Sequence, residues 1–580
     1  MRRKWLKGAL WVLLTPIVLF VILMILLYVP PVQNFIRKQA TAIASDATGM
    51  NISVERIDLR FPLNLLVRGV QVVQSEADAA DVQHPDTLLN LGSLNVSVQA
   101  WPLLQGRVEV NDITLQQVAV NSSNLLEGMH IKGTLGRFFL ESHGIDLKKE
   151  DAILNNVELS NTHMQVMLAD TTETPKDSTE TAVNWRIALH NLKLKNVSVD
   201  LQMPLDSMAL GANIGDASIE DANVDLKRQF YGWRRFTLTE SAVNYDSGMA
   251  APVEGFDASH IALRDIRIGI DSVMSCGRDM NAIIREFSMY DRSGLTVTSL
   301  TGRLFADSTL IRIPYLQLKT PHSDMDLTAQ TYWKLVDIPT TGHLSARFNA
   351  NIGKQDVLLF AGGLPETFKE AYPFRPLVIH AGTEGNLKQM QISRFTAELP
   401  GAFFLSGGGE LWNLTDSLTR NGGLDFEMQT QDLNFLTGLT GVTPDGSIIV
   451  PDSMNLVARL GLDGPQCNAI LKIKEGEGSL GLDAAYNLNT EVYHADLAID
   501  ALQLHHFLPK DSIYTLTARV TAKGQGVDVA SHKTIARVEA KLDELQYARW
   551  NISGVDLDAG LKSSVASVHL TSDNALLKMQ

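Results

Sequence analysis

The chain holds only two cysteines in 580 residues, Cys276 and Cys467. That excludes a disulfide-stapled scaffold and a four-cysteine zinc site. The two could pair in an oxidising compartment, but two separate thiols is the reading adopted. Aromatics are sparse, at 7%, so platforms for stacking bases are not expected. Basic residues are in deficit, with Lys+Arg 50 against Asp+Glu 65 and a net charge of −15. Polyanion binding needs a basic face, so nucleic acid is not an expected partner. Catalytic motifs are missing as well: there is no Gly-x-Ser-x-Gly elbow, no His-Glu-x-x-His and no Cys-x-x-Cys. Gly407-Gly408-Gly409 has no Walker lysine after it and reads as a bend or bulge. His505-His506 is the one adjacent histidine pair. Neighbours on a strand point to opposite faces, so a shared metal is not expected there. Asp324 and Asp326 read as a solvated strand edge. No catalytic residue, cofactor or metal ligand is assigned, and the chain is not read as an enzyme.

What is present begins with one long apolar run. Residues 1–8 carry Arg2, Arg3, Lys4 and Lys7, and residues 9–29 are apolar apart from Thr15 and Pro16. A helix rising 1.5 Å per residue would cover about 31 Å here, matching a hydrocarbon core of ~30 Å. Leu10, Trp11, Phe20, Leu27 and Tyr28 are the expected anchor residues, with the rings near the two ends. The run is longer than a cleavable signal core and lacks a small-x-small site at its end. The expectation is an uncleaved, single-pass anchor with residues 1–8 in the cytoplasm and the rest exported. Residues 30–49 then form a short amphipathic helix, with Val32, Phe35, Ile36 and Ile43 at helical spacing and Gly49 as its cap.

Residues 50–580 read as nearly continuous β structure. Leu94, Val96 and Val98 alternate with Asn95, Ser97 and Gln99. Helix is expected only at residues 355–371 and 432–439. Turns are signalled at Asn421-Gly422-Gly423, Pro444-Asp445-Gly446 and Asp463-Gly464-Pro465, and polar loops at residues 75–85 and 171–181. At ~14 residues per strand and turn, the exported part holds roughly 38 strands, or at most about 180 Å of sheet.

A finer frame runs through this region. Apolar (h) and polar (x) positions repeat as hxhxx. Val108, Val110, Ile113, Leu115, Val118 and Val120 show it, as do Ile187, Leu189, Leu192, Leu194, Val197 and Val199. It returns at Ala152–Leu159, at 217–226, at Phe256 to Ile270 through Ile261, Leu263 and Ile268, and at 540–557 through Leu545 and Ile552. A flat strand has a side-chain period of 2, so each xx pair is one residue too many. The apolar face survives only if the strand bulges at every pair, and a bulge adds twist. The frame therefore predicts twisted, bent strands with one apolar face. Val108, Val110, Leu115, Ile187, Leu192, Leu194, Val197, Val199, Ile261, Leu263, Ile268, Leu545 and Ile552 are its expected lining. Such a face is either sealed by a second layer or left open as a trough. At ~0.8 kcal/mol per methylene, carrying a 16-carbon chain through water costs on the order of 12 kcal/mol, which an open trough would remove.

The basic segment, the anchor and residues 32–72 (VQNFIRKQATAIASDATGMNISVERIDLRFPLNLLVRGVQV) resemble the N-terminal portion of TamB proteins, within the AsmA-like family of Gram-negative envelope proteins. Residues 307–329 and the closing strands resemble recurrent family strands. The resemblance implies a long, taco-like, repeating antiparallel β-groove behind one transmembrane helix in the bacterial inner membrane. It implies a conduit that carries phospholipid acyl chains across the periplasm in outer-membrane biogenesis, or else a scaffold with a filled core that assists assembly of outer-membrane proteins such as autotransporters. It implies as partner an outer-membrane barrel of the TamA or BamA type. Family members typically continue further, so residues 1–580 are expected to be either the N-terminal part of such a chain or a shorter relative.

Overall fold

The computed structural model describes residues 29–60, 63–74, 87–99, 110–122, 129–146, 149–168, 184–440, 446–528 and 531–574. The expected anchor, with Leu10, Trp11, Phe20, Leu27 and Tyr28, lies outside them except for Val29. So do Val108, Pro444, Asp445 and both expected polar loops. Among the described residues no helix is long and apolar enough to cross a membrane. The fold is all-β, with 29 strands among the described residues. That is fewer than the roughly 38 the average strand length suggests, because several strands run to 18 residues. Two compact units divide the chain.

Unit 1 covers Met1–Pro252 and Asp257–Arg292. It opens with helix α1 (Pro30–Thr48), which ends where Gly49 takes φ 69° and its N–H returns to Ser45 O. A left-handed residue there costs glycine little. The helix is tied to the first strand by polar bonds: Gln33 Nε2 donates to Leu59 O at 3.2 Å and Arg37 Nη1 to Glu55 O at 2.7 Å. Phe35 and Ile43 remain exposed. The strands are β1 (Asn51–Arg60), β2 (Asn64–Val73), β3 (Thr87–Val98), β4 (Val110–Asn121), β5 (Met129–Asp146), β6 (Asp151–Leu168), β7 (Arg186–Met203), β8 (Met208–Asp225), β9 (Phe230–Ser247), β10 (His260–Cys276) and β11 (Asp279–Asp291). Each pairs with the next, antiparallel except for β6 and β7, which run parallel. A parallel step needs a long connection, and residues 169–185 supply one.

Unit 2 covers Val253–Phe256 and Ser293–Gln580. Its strands are β12 (Thr296–Val297), β13 (Ser299–Ala306), β14 (Leu310–Lys319), β15 (Asp324–Tyr332), β16 (Leu344–Ile352), β17 (Leu377–Asn386), β18 (Gln389–Leu399), β19 (Phe403–Trp412), β20 (Asn421–Thr430), β21 (Asn455–Asp463), β22 (Gln466–Glu475), β23 (Gly478–Asn487), β24 (Val492–Gln503), β25 (Ile513–Gln525), β26 (Ile535–Tyr547), β27 (Trp550–Ile552), β28 (Val555–Lys562) and β29 (Val565–Ser572). From β13 to β26 each pairs antiparallel with its successor, and β26 then pairs with both β27 and β28. Helix α2 (Trp333–Asp337) follows β15.

The single helix expected at residues 355–371 is two: α3 (Lys354–Leu359) and α4 (Glu366–Ala371). Gly362-Gly363 and Pro365 interrupt it, as glycine and proline weaken helix interiors. Residues 432–439 yield a 3₁₀ stretch, Asn434–Thr440. Asn421-Gly422-Gly423 is no turn; it opens β20. Gly407-Gly408-Gly409 lies inside β19 and is at a bulge, since pairing with β18 passes from Ile392–Gly409 to Phe395–Gly407. Asp463-Gly464-Pro465 does turn the chain, with Gly464 at φ 55° between β21 and β22. Phe256 and Ala258 of the hxhxx frame fall outside strand, and the Phe256 ring packs at a tilt against Phe360 with centroids 5.4 Å apart. The copy at 540–557 is also not one strand. It doubles back after Tyr547, so that Leu545 faces Ile552 and Leu542 faces Val555. Ala548 at φ 49° lies in the reversal, and Gly554 at φ 64° lies between β27 and β28, which run on in one direction along β26.

Candidate functional site

In unit 1 the apolar positions of the frame fall into rows that cross every strand. One row runs Ile57, Val67, Leu94, Leu115, Phe138, Leu159, Leu194, Ala217, Leu238, Ile268 and Phe287. The next runs Val96, Ile113, Leu140, Val157, Leu192, Ile219, Phe236 and Ile270. Directly paired residues share a face, so these side chains form one apolar surface. The other expected lining residues join it: Val110 beside Val98, Ile187 between Ala152 and Val224, Val197 beside Ile214, and Val199 beside Ala212. Ile261 pairs with Tyr245 and Leu263 with Val243.

Between the rows the strands bulge, and they bulge together. Regular pairing skips one residue in each strand, giving a seam through Glu55, Gly69, Gly92, Gln117, Gly136, Asn161, Asn196 and Gly215. Because partners bulge at the same level, the register on either side is kept. Gly69, Gln117, Asn161 and Asn196 hold positive φ, between 51° and 60°. The remaining glycines answer crowding. A Cβ on Gly136 would stand 2.8 Å from the Asn161 Cβ, and one on Gly215 would stand 2.7 Å from the Glu240 Cβ. Asn196 Nδ2 donates to Asn161 Oδ1 at 2.9 Å along the seam. A second seam passes through Asn155, His190 and Asp221. There Arg234 Nε donates to Asp221 Oδ2 at 2.6 Å, and His190 Nδ1 lies 2.6 Å from Oδ1. The Arg234 bond first, and the His190 bond next, hold the Asp221 carboxyl below its ordinary range.

Unit 2 carries rows of the same kind, which the hxhxx frame did not single out. Leu424, Leu460, Ala469, Ala484 and Ala495 make one, and Leu462, Cys467, Tyr486 and Tyr493 the next. Leu545 and Ile552 end another. Plain alternation in Leu456, Ala458, Leu460 and Leu462 was the available signal. The alanines leave a hollow of about 510 Å³ between Leu460 and the two tyrosines. That is within the size range of small-molecule sites, and its walls are almost wholly apolar.

The Leu194 row is not packed like a core, although Val197 in the neighbouring row is buried. In the Leu194 row only Ala217 is buried; the others keep part of their surface open. Among the described residues the cluster of buried apolar side chains lies elsewhere: Phe368, Tyr372, Leu399, Ala402, Leu433 and Phe435, beneath α4 and the 3₁₀ stretch. Leu399 there is 1% exposed, whereas Leu460 in the row is 45% exposed.

Among the described residues no three His, Cys, Asp or Glu side chains converge to hold a metal. His505 and His506 do not alternate across a strand, since Leu504–His506 is a 3₁₀ turn with the two rings 4.1 Å apart. His506 Nδ1 instead meets Glu475 Oε1 at 2.6 Å. Asp324 and Asp326 accept from Asn351 and Gln317 at 3.1 and 2.8 Å. Cys276 and Cys467 are both free thiols. No protein-family model matches this chain, and no curated protein matches it either.

Proposed function

We propose that the apolar rows are a path for lipid acyl chains, and that the protein is a membrane-anchored conduit for phospholipid in a bacterial envelope. The observation that carries this is the contrast just described: rows of large apolar side chains, continuous from strand to strand, that stay partly open while a closed core forms elsewhere. Leaving such a face to water costs ~25 cal/mol per Å², so a continuous open face calls for an occupant. Acyl chains suit it because they need length and apolarity but no directed hydrogen bonds. The 510 Å³ hollow over Ala469, Ala484 and Ala495 is a place where a chain can rest. In this reading residues 9–29 anchor the chain in the inner membrane, the strands curl around the rows as a groove, and the body lies in the periplasm, handing lipid towards an outer-membrane barrel. The mechanism is solvation and involves no bond chemistry.

The test is photocrosslinking in cells, with the probe at Leu194 or Leu460 and, as controls, at Lys193 or Arg459 on the polar side. Phospholipid adducts at the first pair only are the expected result. Adducts to protein alone would favour the scaffold reading; no adducts at either apolar position would end the conduit.

A further inference from the structure

On its polar side, unit 2 pairs arginine with carboxylate from strand to strand. Arg459 Nε meets Asp425 Oδ1 at 2.5 Å, and Arg537 Nη2 meets Asp558 Oδ2 at 2.8 Å. Arg347 and Arg394 have no such carboxylate partner among the described residues. Arg347 on β16 and Arg394 on β18 both pair with Gly382 on the strand between them. At about 4.8 Å per strand they stand roughly 10 Å apart across a residue with no side chain. Arg394 reaches this side because Ser393 and Arg394 form a bulge: pairing with β19 skips from Ile392 to Phe395. A bulge re-aims side chains. The two guanidiniums, with Asn349, His380, Ser393 and Thr396, rim a cavity of about 720 Å³ that no carboxylate lines. Neither guanidinium has an ion-pair partner among the described residues. His380 Nδ1 is held by Asn349 Oδ1 at 2.8 Å.

We propose that this cavity binds a phosphate group. Two guanidinium forks on either side of a glycine suit a tetrahedral oxyanion, which takes paired N–H bonds from each. Ser393 Oγ adds a donor. The chain carries −15 overall, so general attraction does not bring an anion here; the local pairing of positive groups does. The site is on the side opposite the apolar rows, so it stands or falls apart from the conduit reading. The phosphate could be free or part of a lipid headgroup.

Calorimetric titration of the full chain with inorganic phosphate, and separately with dihexanoyl phosphatidylglycerol below its micelle concentration, decides both points. Saturable binding is expected, weakened about tenfold in Arg347→Gln and in Arg394→Gln and lost in the double variant. Arg347→Lys with Arg394→Lys keeps the charge but not the forks and should fall between. Arg459→Gln, outside the cavity, should bind as the parent does. Phosphate alone saturating assigns the free ion; saturation by the lipid assigns the headgroup. If the double glutamine variant does not fold, Gly382→Asp replaces it, placing a carboxylate between the arginines and abolishing binding. The proposal is overturned if neither probe saturates, if the arginine variants bind like the parent, or if Arg459→Gln loses as much.

Discussion

Unit 1 and the stretch from β19 to β23 in unit 2 build apolar rows by different means. Unit 1 uses strands of up to 18 residues and cuts each into segments with bulges aligned in seams. Unit 2 uses strands of mostly 9–13 residues, and from β19 to β23 they pair without a register shift. Its tight places are met by glycine: a Cβ on Gly407 would run into the Phe426 ring, and Gly422 inside β20 takes φ 128°. A long strand twists, and its side chains drift off a common face unless the drift is reset. A bulge resets it at the cost of one left-handed residue. A short strand ends before drift matters. The comparison teaches that an apolar face can be kept either by in-register insertions or by brevity. Unit 2 also has what unit 1 lacks among the described residues: a closed aromatic core, where Phe368 and Phe435 stand 5.8 Å apart under α4.

The largest expected effect separates that core from the rows. Leu399→Ala should destabilise unit 2 by about 3 kcal/mol, as for a sealed leucine. Leu194→Ala, in a row that keeps some surface open, should cost about 1 kcal/mol. Urea unfolding of the full chain, followed by hydrogen exchange in each unit, measures both. Equal costs would mean the unit 1 row is a sealed core, and the conduit would lose its basis. Next come the crowded glycines. Gly215→Ala should cost about 2 kcal/mol through the Glu240 strand, and Gly407→Ala a similar amount, since its Cβ would meet both the Phe426 ring and the Asp425 carbonyl. Asn196→Gly should go the other way, relieving a left-handed asparagine and stabilising by up to ~1 kcal/mol. If Asn196→Gly destabilises instead, the seam depends on the Asn196–Asn161 bond more than on its backbone.

These predictions also mark what was legible beforehand. The xx pairs announced the bulges, because five residues with two apolar positions leave no other way to keep one face. That Lys195-Asn196 would bulge against Gly215-Asp216 was not legible, since alignment of seams depends on which strands pair. The parallel step from β6 to β7 was hidden for the same reason. Alternation in β21 to β24 looked ordinary, so the alanine hollow passed unnoticed; a cavity made by what is missing leaves no motif. Arg394 gave no signal either, because only the bulge sends it to the side where Arg347 lies. The closing copy misled, since Tyr547-Ala548-Arg549-Trp550 keeps the frame while the chain reverses.

The smallest effect is electrostatic and compares a seam with a flat pair. Asp221 in unit 1 is held below the ordinary carboxylate range by Arg234 and then His190; Asp558 in unit 2 is held low by Arg537. A lowered folded pKa means the carboxylate's contribution is full above the unfolded value of ~3.9 and is lost as pH falls through the folded one. Both regions should therefore loosen in acid, below about pH 4. Asp221→Asn tests the seam cleanly, because asparagine tolerates the φ of 51° found there. Hydrogen exchange across β8 and β9, read from pH 6 down to pH 3, should lose most of its acid dependence in Asp221→Asn. In Asp558→Asn the change should be confined to β26 and β28. At the seam the ion pair holds a bulge shut, so its loss should spread to both neighbouring strands; in the flat pair the ladder itself remains. If the two variants loosen the same span of chain, the bulged seam is held by its backbone alone, and the polar side chains along it are ornament to the fold.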